Sequence, residues 1–189
     1  MRRSVGVVHG LVERIHPFDA VEAQHREAAL RWLESTDDVF RRVKPATPDR
    51  HLVSYVVLAD SASRSTLLVD HVNAGLWLPP GGHVEPDEHP GETARREAEE
   101  ELGIDLALPE RRAEQIPPSF VTVTRTVGQD HGHVDVSLWF LFDVRQDTPI
   151  TPDRTEFREV RWWTPAEVRA TPADRFDPHY QRFLAKTGF

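Results

Sequence analysis

Three carboxylates at helical spacing carry the clearest chemical signal in this chain. Glu97, Glu100 and Glu101 stand at i, i+3 and i+4, so a helix projects them from one face. Like charges so spaced repel, and the negative end of the helix dipole lies close by. No lysine one turn further on balances them, as it would on a helix face built for solubility. Such a cluster costs stability unless a cation sits on it. Three hard oxygen donors suit Mg²⁺ or Mn²⁺, which keep positions open for water and phosphate oxygens. The run alone is equally compatible with a solvated helix face. The loop ahead of it, Leu78-Pro79-Pro80-Gly81-Gly82, favours the first reading, because two glycines let backbone approach a ligand closely.

Gly82, five residues, Glu88, seven residues and then Arg96-Glu97-Ala98-Glu99-Glu100-Glu101-Leu102-Gly103-Ile104 resembles the Nudix box at every specified position. The approach Trp77–Gly82 also resembles what precedes the box in that family. The resemblance implies an α/β fold, a Nudix-type α/β/α sandwich around a mixed β-sheet. It implies that Glu97, Glu100 and Glu101 bind one to three divalent cations, with the carbonyl of Gly81 completing the metal shell. Arg96 and Glu88 are then an ion pair that orients the catalytic glutamate from behind. The implied activity is that of a pyrophosphohydrolase. Water attacks phosphorus in a nucleoside diphosphate linked to another moiety, with an ADP-ribose-like compound or an ordinary or oxidised nucleoside triphosphate as substrate. The alternative is a non-catalytic, nucleotide-binding sensor of the same fold, a class that usually loses box glutamates kept here.

The proton acceptor in this family is either a box glutamate or a glutamate in a later loop. Glu156, just before the strand that carries Trp162, resembles that loop glutamate, with Glu159 as its rival. A loop in this position could swing across the metal face once substrate is bound. Substrate-binding residues are not legible. Trp77, Trp139, Phe157, Trp162 and Trp163 could stack on a base but equally fit a core. Asp130–His133 reads as a phosphate-contacting loop or a plain surface turn.

Around these residues the pattern predicts the elements that must hold them. Apolar positions from Asp19 to Ser35 recur at helical spacing, with Asp19 as N-cap, and the stripe Val21, Ala28, Ala29, Trp32 and Leu33 needs a surface to cover. Prolines in Lys44–Asp49 end this helical first third. Leu52–Asp60 and Thr66–Val72 read as a hairpin, Gly75–Glu88 as a loop, and Pro90–Leu102 as a helix closed by Gly103. Strands follow at Ser119–Val127, Val134–Val144 and Glu159–Thr164, then helices at Pro165–Arg169 and Asp177–Lys186. The division is residues 1–48 as a helical extension and 49–189 as the hydrolase domain. The extension could pack on its own domain or on a second copy, and a homodimer is favoured.

Composition narrows the classes further. The chain has 189 residues, a net charge of −8 and no cysteine. Zero cysteine excludes disulfides, thiol nucleophiles and cysteine-ligated metal. It also disfavours the zinc-ribbon and catalytic-cysteine branches of the family. The acidic balance argues against general nucleic-acid binding, while a bridging cation still admits a phosphorylated small molecule. The 10 histidines are scattered and suggest no metal site. No membrane-length apolar run or signal peptide is visible, so a cytoplasmic location is expected.

Overall fold

The structure is a computed structural model that describes residues 3–44, 47–106, 115–126 and 132–189. Helices α1 (Arg3–Glu13) and α2 (Ala20–Ser35) precede strands β1 (Arg50–Asp60), β2 (Ser65–His71), β3 (Trp77–Leu78) and β4 (Gly81–His83). Helix α3 (Pro90–Leu102) comes next, then β5 (Phe120–Arg125), β6 (Val134–Asp143), β7 (Phe157–Trp163), α4 (Pro165–Ala170) and α5 (Tyr180–Thr187). The strands form one mixed sheet in the order β3-β2-β1-β6-β5, with β4 also on β1 and β7 also on β2. The β1–β6 pairing is parallel and runs from Arg50↔Val134 to Ala59↔Asp143.

Successive side chains of a strand point to opposite faces, and three central strands obey this strictly. Val56 and Leu58, Leu67 and Val69, and Leu138 and Phe140 enter one core, which α1, α2 and α3 cover. Val57, Leu68 and Trp139, which alternate with them, enter a second core with Phe176, Tyr180 and Phe183. Two layers of helix therefore enclose the sheet, as the sequence predicts.

The helical extension supplies Val5, Val8, Leu11, Val12, Ala29, Trp32 and Leu33 to the same core as the sheet. Its stripe is rotated from the predicted one. Val21 is 41% exposed, whereas Glu22 is fully buried. The cause is electrostatic: Glu22 accepts hydrogen bonds from the Phe18 amide (2.6 Å) and from Lys186 Nζ (2.7 Å). Asp19 caps α2 through the Glu22 amide and also pairs with Arg182. These contacts fasten α2 to α5.

Helix α3 has the predicted bounds because both ends are locally encoded. The His89 side chain accepts from the Gly91 amide, Pro90 opens the first turn, and Gly103 takes a left-handed φ of 67°. Two short strands, β3 and β4, occupy the segment expected to be a loop. They have too few residues to show a period and exist through their partners: Trp77 and Leu78 pair with β2, and Gly81–His83 pair with Val53–Tyr55 of β1.

Candidate active site

Strand β4 delivers the two box glycines against β1 and α3. A Cβ on Gly81 would meet the backbone of Ser54 and Tyr55. One on Gly82 would lie 2.6 Å from the carboxylate carbon of Glu97. Ser54 Oγ also donates to the Pro90 carbonyl (2.8 Å), tying β1 to the start of α3. Glycine is thus required so that three elements can close around carboxylates.

Those carboxylates are mainly Glu97 and Glu101, both buried and one helical turn apart. The Gly81 amide donates to Glu101 Oε2 at 3.0 Å. Burial pushes the Glu101 carboxyl up to about 9, with the charges of Glu97 and Glu156 adding to the effect. Burial likewise raises Glu97, against the nearby Arg96 guanidinium. Glu100 differs. It lies on the outer side of α3, more than half exposed, where its Oε2 accepts from Arg96 Nη1 at 2.9 Å.

Arg96 organises this group. It grips both oxygens of Glu88 at 3.0 Å and donates through Nη1 to Glu97 (2.7 Å) as well as to Glu100. Thr93 Oγ1 completes the Glu88 partners at 2.7 Å. Burial alone would raise the Glu88 carboxyl, but Arg96, Thr93 and the Glu85 amide hold it below the ordinary value. The expected Arg96–Glu88 pair is present.

Glu97, Glu101, Gly81 and Gly82 line a cavity of about 730 Å³, within the usual size range for small-molecule sites. Glu156 lines it too, and Glu159 is not among the lining residues. The loop before β7 is tied to the end of α3 by backbone hydrogen bonds. The Thr151 and Asp153 amides donate to the carbonyls of Leu102 and Glu101 at 2.7 and 2.8 Å, filling the open end of α3. The Glu156 carbonyl accepts from the Val72 amide at 2.8 Å. These contacts place Glu156 on the cavity wall.

The NUDIX domain profile matches residues 49–186. The chain belongs to the Nudix family. A Nudix hydrolase from Escherichia coli K12, YfcD, is 29% identical over 175 residues, covering 86% of this chain and 89% of its own. Among solved structures, a Caenorhabditis elegans Ap4A hydrolase gives a TM-score of 0.54 at 19% identity, over 72% of this chain and 94% of that one. The NUDIX domain of Shewanella oneidensis NrtR, complexed with ADP ribose, gives 0.55 at 19% identity, over 72% and 85%. These two show the shared fold. This Nudix hydrolase has no helix, among the described residues, long and apolar enough to cross a membrane.

The structure also brings together residues that the sequence does not join. Tyr55 and Phe176 line the Nudix cavity with Phe157. The two phenylalanines are nonetheless buried in the cores, Phe157 in the first and Phe176 in the second; Trp77, Trp139 and Trp163 also lie in the second core, and Trp162 packs against the first. Asp130 and His131 lie outside the described residues. The histidines are not all scattered: ring nitrogens of His51, His83 and His133 and a carboxylate oxygen of Asp135 fall within 4.8 Å of one another. Sequence separation hides this group. Only the spacing of His133, just before β6, and Asp135 within it hints at it, since residues two apart in extended backbone share a face.

Proposed function

We propose that this Nudix hydrolase is a divalent-metal-dependent pyrophosphohydrolase that cleaves a nucleoside diphosphate linked to another moiety by attack of water on phosphorus. The substrate classes are an ADP-ribose-like compound or an ordinary or oxidised nucleoside triphosphate. The observation that carries this reading is the buried pair Glu97 and Glu101, with Glu156 on the wall of the same cavity, which is sized for a small phosphorylated molecule. Apart from the Gly81 amide, what surrounds Glu101 is chiefly negative charge. A hard dication fits that donor set, with Glu100 at its outer edge and the Gly81 backbone beside Glu101 as further oxygen donors. Mg²⁺ or Mn²⁺ bound there supplies neutralising charge for a diphosphate and lowers the pKa of a water.

The protein's own groups then divide the work. Arg96 holds Glu97 and Glu100 in place and is itself anchored by Glu88. Glu156 is not committed to Arg96, and it accepts the proton of the attacking water. Arg41 and Arg125 bring positive charge to the same cavity, which suits a polyanionic substrate. Tyr55, Val72 and Leu76, which are partly exposed, give it apolar walls on which a base can rest.

The test is product release from a panel of ADP-ribose, ordinary and oxidised nucleoside triphosphates and dinucleoside polyphosphates, with Mg²⁺ and with Mn²⁺. Turnover of at least one class, abolished by a chelator, is expected. Tight binding of a panel member with no turnover under any condition overturns the reading in favour of a sensor.

A further inference from the structure

Beyond the carboxylate pair, His83, His133 and Asp135 line the same cavity, and the buried His51 lies directly behind them in one group. Sheet geometry forces them together. His51 and Asp135 are directly paired across the parallel strands β1 and β6. His133 stands two residues before Asp135, which puts both on one side of the sheet. His83 pairs with Val53, two residues along β1 from His51. Three separate segments therefore contribute to one point.

The rings are oriented from behind. His51 Nδ1 lies 2.9 Å from the Pro48 carbonyl, which can only accept, so Nδ1 donates there and Nε2 is turned toward the group. His133 Nδ1 contacts Thr126 Oγ1 at 3.2 Å, which likewise turns its Nε2 inward. Outward Nδ1 contacts of this kind orient metal-bound histidines. His51 is completely buried and His133 nearly so. Asp135 Oδ1 is also buried, yet no hydrogen bond closes onto it.

Spacing decides what such a group fits. Bonds of about 2.05 Å at tetrahedral angles put neighbouring donors about 3.3 Å apart. His83 Nε2 lies 3.0 Å from His51 Nε2, and Asp135 Oδ1 lies 3.2 Å from His51 Nε2 and 3.4 Å from His133 Nε2. A hydrogen-bonded histidine cluster needs protons between these atoms, and Asp135 Oδ1 receives none. Three of the donor pairs thus stand near tetrahedral spacing, and the whole set lies within 4.8 Å, so a small contraction would bring all four onto one dication.

We propose that His51, His83, His133 and Asp135 form a second metal site, for a zinc-class transition-metal dication, distinct from the hard-cation site on the Nudix glutamates. Imidazole-rich donor sets select such ions over Mg²⁺. With four protein ligands the site is closed, which makes it a clamp joining β1, β4 and β6. Because His83 follows Gly82 directly, the clamp fixes the strand that presents both box glycines.

The full chain, stripped with a chelator, is titrated with Co²⁺ as a spectroscopic probe and then with Zn²⁺. One equivalent of Co²⁺ should give the strong visible absorption of a four-coordinate ion, and Zn²⁺ should displace it. The band should persist in the Glu97→Gln/Glu101→Gln variant and vanish in His51→Gln and His133→Gln. Because those two histidines are buried, circular dichroism must show that the variants fold. The partly exposed His83 provides a second variant, and His83→Gln should weaken Co²⁺ binding by more than the 10- to 100-fold typical of an outer-shell partner. The proposal is overturned if the native chain shows no four-coordinate band, if His83→Gln binds Co²⁺ as the native chain does, or if the band follows the glutamates instead. Since the readout is absorption, failure here leaves the hydrolase reading untouched.

Discussion

Folding strongly changes the ionisation of Glu101. In chelator-treated protein its carboxyl keeps its proton up to about 9, against 4.5 for an ordinary glutamate. The folded state thus binds a proton that the unfolded state releases, and the stability this supplies is complete below pH 4.5. It is lost progressively as pH rises through about 9. Glu101→Gln removes the dependence, so the metal-free variant should melt above the native chain near about pH 8 and lose that advantage near about pH 4. Parallel melting curves across this range would count against the assignment. The same variant should lower kcat/KM by about 100-fold or more in the presence of Mg²⁺. Glu156→Gln should depress kcat by about 100-fold with KM and metal affinity nearly unchanged, while Glu159→Gln on the exposed side of β7 does little. Equal and mild effects from both would move the proton acceptor into the box. At this scale the sequence revealed the box glutamates, Arg96 and Glu88, because their spacing lies within one helix and its approach. The histidine group escaped, since its members are joined only by strand pairing.

Among the elements, α3 was legible to the residue, as its capping signals are local. Strands β3 and β4 were not, because their backbone is ordered by β2 and β1 rather than by a pattern of their own. The end of α3 also fixes Glu156, through the amides of Thr151 and Asp153. Gly103 allows this close packing: its φ is left-handed, and a Cβ there would stand 3.1 Å from that of Thr151. Gly103→Ala should therefore destabilise the fold by about 1–2 kcal/mol. It should also reduce kcat by displacing the loop, which denaturant titration and steady-state kinetics would measure separately. A stability loss with kcat unchanged would show that Glu156 keeps its position without the helix end. The rotation of α2 was hidden for a different reason: a charged Glu22 reads as a solvent-facing position until its distant cation is known.

For the molecule as a whole, the contacts between α2 and α5 close the fold. Lys186 neutralises the fully buried Glu22, and Arg182 grips Asp19 with the hydrogen bonds that depress the Asp19 carboxyl. Lys186→Met leaves a buried carboxylate without its cation and should cost about 3 kcal/mol, read as a fall in the denaturation midpoint. A chain truncated to begin at Asp49 would expose the core that Leu11, Trp32 and Leu33 cover, and loss of solubility is expected. The sandwich architecture was legible from element order, but its coupling to the first two helices was not, since it depends on pairs far apart in sequence. Glu22 and Lys186 are 164 residues apart. At elongation rates of about 5–20 residues per second, roughly 8–30 seconds pass between their syntheses. Throughout that interval Glu22 lacks its counter-charge, and until β5 has been made α2 lacks its strand surface as well, so it waits as an amphipathic segment open to chaperones and proteases.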